Sequence, residues 1–219
     1  MTATRLGSLT LSIAILVGCG SQLGEEDGAR CVEVSRTPVA RDDASIAGFA
    51  PGDLIDAITG EATGVVHWNA TDTDTAFTST LGAPTAIDWV VTEWQDDGSG
   101  LMTEMDCAPF LEIAAPLAFA TDDGALDESF DAKLAATLAT EAHVTLDLDA
   151  PAGTFDIWDH VPAGSTYDDA TAWLVLSFTD AGVTGVIDGQ GSGTDGNDGP
   201  DGTAYAEAID VATIGAATE

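Results

Sequence analysis

The chain has 219 residues and sets 38 acidic side chains against five basic ones, a formal net charge of −33. A body of that sign repels phosphate backbones and anionic headgroups, which excludes nucleic-acid binding and electrostatic adhesion of the domain to a lipid surface. It favours solubility and a dense cation atmosphere, and its self-repulsion reaches furthest when the ionic strength is low.

In chain order, the first feature is a short positive start carrying Arg5, followed by the apolar run Leu9–Val17, broken only by Thr10 and Ser12. The run is too short for a bilayer span of about 20 apolar residues and fits the hydrophobic core of an export signal. Leu16-Val17-Gly18-Cys19 follows, a branched apolar residue, two slim residues and a cysteine. This resembles the lipobox of bacterial lipoproteins. The resemblance implies cleavage after Gly18, a diacylglycerol thioether on Cys19 and an acylated amine, with palmitate-like chains as the anchor. More than one acyl chain makes such anchoring stable. Gly20 and Ser21, with no Asp after the cysteine, resemble the outer-membrane sorting pattern of enteric bacteria.

The expected organisation is therefore a signal peptide over 1–18, a lipidated N-terminus and acidic tether over 19–43, and a single β-rich domain over 44–219. Gly24-Glu25-Glu26-Asp27-Gly28 reads as flexible spacer. With Cys19 lipidated, Cys31 and Cys107 remain, and in an exported chain two cysteines pair economically into one disulfide. The alternative leaves them free or bridging to a partner.

Pro51-Gly52-Asp53 can open a short helical turn through Leu54, Ile55 and Ile58, ending at Gly60. Gly64–Trp68 and Thr75–Leu81 read as strands across an Asp/Thr turn. Ile87, Trp89 and Val91 alternate with polar neighbours, and Phe110–Ala120 reads as a buried strand restrained by Pro109 and Pro116. Asp127–Glu141 fits two patterns: Phe130, Leu134 and Leu138 at four-residue spacing suit a helix, while Phe130, Ala132 and Leu134 alternate as in a strand. The strand pattern is preferred at its start.

Val144–Asp149 alternates strictly, and Thr154–Trp158 follows as a short strand. Leu174, Leu176 and Phe178 share one face of Ala172–Thr179, and Asp180-Ala181-Gly182 turns into Val183–Ile187. A Gly/Asp loop is expected over 188–203 before a last strand, Tyr205–Ile214. Short strands separated by Gly and Asp turns predict a mainly β fold, an antiparallel β-sandwich or barrel-like meander with at most one or two short helices.

Calcium takes six to eight oxygen ligands on flexible backbone, so Asp195, Asn197, Asp198 and Asp201 in the glycine-rich loop form a candidate calcium site. The EF-hand pattern is absent, because Gly199 occupies its third ligand position, and a solvated linker is the competing reading. His67, His143 and His160 have no zinc spacing. No Gly-x-Ser-x-Gly, Ser-x-x-Lys or His-Glu-x-x-His run occurs, so no catalytic residue is assigned.

Trp68, Trp89, Trp94, Trp158 and Trp173 could belong to the core or to a sugar platform. The chain as a whole resembles acidic envelope lipoproteins of unknown function, a likeness that brings no activity, and its scarcity of lysine resembles proteins of salty habitats. The expected role is a non-enzymatic binding or structural lipoprotein of the cell envelope. It would meet the membrane through its lipid alone and meet a protein or glycan partner through its domain. The alternative is a calcium-dependent adhesion or glycan-binding module.

Overall fold

The computed structural model describes residues 30–45, 48–95, 107–148, 169–194 and 204–215. They form β1 (Arg30–Pro38), α1 (Pro51–Ile58), β2 (Gly60–Trp68), β3 (Thr73–Leu81), β4 (Ala86–Gln95), β5 (Phe110–Thr121), β6 (Asp127–Leu138), β7 (Glu141–Leu148), β8 (Asp169–Thr179), β9 (Gly182–Thr194) and β10 (Ala204–Gly215). The strand order is β1-β4-β5-β3-β2-β10-β9-β8-β7-β6, and β6 also pairs with β5. That second pairing closes eight antiparallel strands into a barrel and leaves β1 and β4 as a flap on its side. The mainly β expectation holds, and the barrel is the architecture. Arg30–Pro38, inside the stretch read as tether, is a paired strand.

Strand β5 serves both barrel and flap. Its Leu117–Thr121 half pairs with Leu81–Phe77 of β3, and its Phe110–Ala114 half pairs with Val90–Ala86 of β4 along the same edge. Pro116 stands where the two ladders meet. It has no N–H to offer, and there the partner chain bulges through residues 82–85. The Gly82 N–H donates to the Pro116 carbonyl at 2.8 Å and the Thr85 N–H to the Ala114 carbonyl at 2.7 Å. A proline is tolerated in this central strand because the ladder is interrupted at its own position.

Alternation fills the barrel. Phe130, Ala132, Leu134 and Ala136 of β6 face the interior, and β6 pairs with β5 from Leu111↔Ala136 to Ala120↔Asp127. This settles the ambiguous segment as strand: the period-2 face buries a continuous row where a helix would have left the β5 edge open. Trp68, Phe77, Phe119, Phe178 and Leu134 are fully buried, and the Phe77 and Phe119 rings stack with centroids 4.9 Å apart. An eight-stranded barrel is just wide enough for side chains to fill, and here apolar ones do. Gly64 is required by this packing, because a Cβ there would strike the Gly215 carbonyl and the Phe77 ring.

The 188–203 loop is shorter than the sequence suggested. Residues 188–194 continue β9, paired with β8 on one side and β10 on the other. Two flanking ladders supply the order that glycines do not supply themselves. The turn from β8 into β9 lies where expected, with Gly182 at φ 123°.

Helix α1 starts with Pro51 at its first turn, carries Asp53 there, and buries Leu54, Ile55 and Ile58 against the core. It lies beside β7 and β8 at the end of the barrel where the β6–β7 and β8–β9 turns also sit. At the opposite end stand the β2–β3 and β5–β6 turns, and there β7, β8, β9 and β10 meet their remaining connections. The flap extends from the α1 end: the Arg30↔Gln95 pair lies five residues of β4 beyond Val90↔Phe110. The free edge of β1 is blunted by a bulge between Glu33 and Ser35, by charge and by Pro38.

Candidate functional site

Among the described residues, Arg36, Arg41 and Lys133 are each paired with carboxylates, on or beside the flap and α1. Arg36 of β1 bonds Glu33, Asp88 and Glu112, the closest contact being 2.6 Å to Glu112, and Lys133 of β6 stands 3.9 Å from Glu112. The Glu33 and Glu112 carboxylates bonded to the Arg36 guanidinium push it further above its ordinary range, and the same bond holds Glu33 below the usual carboxylate range. Arg41 pairs with Asp56 of α1. Cys31 and Cys107 form the expected disulfide, Cα atoms 5.6 Å apart, which ties β1 to the residues preceding β5.

At the opposite end, side chains lock the turns. The Trp68 indole N–H donates to Asp123 at 3.0 Å and to Thr75 at 3.2 Å, and the Thr75 hydroxyl donates to the same Asp123 oxygen at 2.9 Å. Burial pushes the Asp123 carboxyl up, but bonds from Thr121, the Ala125 N–H, Thr75 and Trp68 outweigh it and hold the group below its ordinary value. His67 meets Asp74 through Nδ1 at 2.8 Å. Asn69 donates to Asp210 at 2.7 Å. These are short-range bonds between neighbouring turns and strands, and they explain why polar residues end the strands there.

A different arrangement lies on the outer wall of β7 to β10. Asp147 is opposite Trp173, Trp173 opposite Asp188, and Asp188 opposite Asp210, so four adjacent strands present one row. Trp173 and Asp188 are half-buried, and Asp147 and Asp210 are exposed. Directly opposed residues hold their Cβ atoms about 5 Å apart, and the row crosses about 14 Å of sheet. Below Trp173 the next outward positions are the half-buried Val175 and Val186, an apolar floor. Burial raises the Asp188 carboxyl above its usual range, and the neighbouring Asp210 charge adds to this.

Of the sequence candidates, Cys19, Asp195, Asn197, Asp198, Asp201, His160, Trp158 and the 154–158 strand lie outside the described residues. Among the described residues no cluster of three or more His, Cys, Asp or Glu could hold a metal. The tryptophans do not act as one platform. Trp68 is fully buried in the barrel, while Trp89 and Trp94 are half-buried on opposite faces of β4, across from Leu111 and Cys31. Trp173 alone of the described four stands on the β7–β10 wall. Asp188 and Asp210 were not singled out by sequence, and a turn over 180–182 counts back to Trp173 opposite Gly189; the pair with Asp188 arises because Gly182 is already paired with Thr179 and only residues 180 and 181 turn. No protein-family model, curated protein or solved structure matches this chain.

Proposed function

We propose that this chain is a lipid-anchored, non-enzymatic binding module of the cell envelope, held through Cys19 and presenting the far end of its barrel away from the membrane. The observation that supports it is the polarity of the topology. The chain enters the fold at Arg30, at the outer end of a flap on the α1 side, while the β7–β8 and β9–β10 connections leave from the other end. A tether from residue 20 to 30 reaches at most about 35–40 Å when extended, enough to hold the domain clear of a headgroup layer. The packed barrel interior fits a role carried by surface and not by an enclosed cleft. In a bacterial host, mass spectrometry of the purified protein is expected to show an acylated Cys19 as first residue, and Cys19→Ala to release the protein from the membrane fraction. Unmodified wild-type protein in the soluble fraction would sink the anchor.

A second reading, calcium-dependent adhesion or glycan binding, is favoured by one observation: the β9–β10 connection holding Asp195, Asn197, Asp198 and Asp201 emerges at the end that also gathers Asp72, Asp122 and Asp123. It predicts a melting temperature that rises and saturates with calcium at matched ionic strength, and that Asp195→Asn with Asp198→Asn abolishes the rise. A calcium response no larger than that of magnesium would rule it out.

A further inference from the structure

We infer that the Cys31–Cys107 bond is a load path: tension arriving through the tether passes from Cys31 to Cys107 and into β5, past the β1–β4 flap that would otherwise meet it first. The inference rests on the reading of the chain as a tethered lipoprotein, because a domain held by its lipid at one end and by a bound partner at the other is under tension.

The order of the strands carries it. The chain enters the fold at Arg30, and the next residue is Cys31. Beyond that point β1 is paired on one edge alone, by a ladder to β4 that a bulge interrupts between Glu33 and Ser35. From Glu33 to Pro38 every side chain is exposed, so little apolar burial adds to the ladder. The other hold is Arg36, whose contacts to Glu33, Asp88 and Glu112 are partly exposed and weakened by salt. A strand held in this way is the first to leave when it is pulled at Arg30.

Cys107 lies three residues before Phe110, the first residue of β5. Along one edge β5 pairs with β6, and β3 and β4 share the other. Its Leu111, Ile113, Leu117 and Phe119 are fully buried. The Thr92 hydroxyl of β4 donates to the Ala108 carbonyl at 3.4 Å, which lays the span after Cys107 against the flap and within reach of Cys31. The bond thus moves the pull from a strand with one neighbour to the strand that, among those described, has three. It also closes residues 31–107 into a loop holding β1, α1, β2, β3 and β4, which tension between the chain ends cannot extend while the bond stands.

The test pulls single molecules of the full chain, unacylated and folded with the bond formed. One handle is joined to Cys19, the cysteine outside the bond, and the other to a tag after Glu219. Molecules of one preparation are pulled with and without a phosphine reductant, so no variant has to fold. Forced unfolding reads the barrier of whatever the load reaches first. In the oxidised chain the first rupture is expected to be the opening of the body, with no short step before it. After reduction the first rupture should fall about twofold or more in force, as β1, nine residues and at most about 32 Å of chain, peels away. Full extension should lengthen by about 260 Å, because 76 positions are released.

Arg36→Ala supplies a readout specific to the path. It loosens β1 in both states, so it should lower the first rupture of the reduced chain and leave that of the oxidised chain unchanged. A first rupture of equal force with and without the bond, a short early step in the oxidised chain, or an equal effect of Arg36→Ala in both states would each overturn the inference. The anchor is tested separately, by acylation of Cys19 and release of Cys19→Ala, and the pulled chain carries no lipid. Failure of either reading therefore leaves the other to be scored by itself.

Discussion

Removing the Cys31–Cys107 bond by the double change Cys31→Ala with Cys107→Ala is expected to lower the free energy of unfolding by about 4 kcal/mol. The two residues are separated by 76 positions, and the chain-entropy cost of closing a loop that long is about 4–5 kcal/mol in the unfolded chain. In a domain of this size that corresponds to a fall of roughly 10–15 °C in melting temperature. The folded state should change little, because β1 keeps its ladder to β4 and Arg36 keeps Glu33, Asp88 and Glu112. The effect is read by urea unfolding under oxidising conditions. A loss below about 1 kcal/mol would mean that the unfolded chain is already compact around this loop and that the ladder alone holds the flap.

The second large effect separates two tryptophans that composition treats alike. Trp68→Ala empties a fully buried site and should cost about 3–5 kcal/mol. Trp173→Ala, on the outer wall, should cost about 1 kcal/mol or less. Trp68→Phe keeps most of the volume and removes one of the donors to Asp123. The Asp123 carboxyl lies below its ordinary value, so its contribution is present above the unfolded value and is lost as pH falls through the folded one. The Phe variant should therefore lose less stability than wild type on acidification below about pH 4. Comparable destabilisation by Trp68→Ala and Trp173→Ala would place both side chains in one core.

Salt links these expectations. With 38 acidic side chains and Arg36, Arg41 and Lys133 each already engaged by Glu or Asp, repulsion among the remaining carboxylates is relieved chiefly by dissolved ions. The measurements on Cys31, Trp68 and Trp173 therefore belong at one fixed ionic strength.

Local pattern alone determined much of this protein. Strict alternation in Val144–Leu148 and in Leu174–Phe178 named the buried faces, the Asp180–Gly182 turn set a hairpin, and Pro51 with Leu54, Ile55 and Ile58 set the one short helix. These are signals a few residues long, and the physics behind them acts over the same range. The strand at 30–38 was not legible, because three of its residues are basic or acidic and its pairing partners lie fifty or more residues away. Residues 188–194 read as loop because glycine carries no β preference of its own, and only the ladders to β8 and β10 make them strand.

The candidate site divides in the same way. The hairpin joining the Trp173 and Asp188 strands was open to sequence, but the turn read over 180–182 would have set Trp173 against Gly189, and only the observed Thr179↔Gly182 pair brings Asp188 opposite it. Asp147 and Asp210 join that row only through the β7–β8 and β9–β10 registers, across connections whose length says nothing about alignment. Closure is the extreme case. The choice between sandwich and barrel turned on β6 returning to β5 while β5 shared its other edge between β3 and β4. Alternation specifies which side of a strand is buried, but not which strand lies beside it. Tertiary structure decided that, by pairing every edge the interior could not leave open.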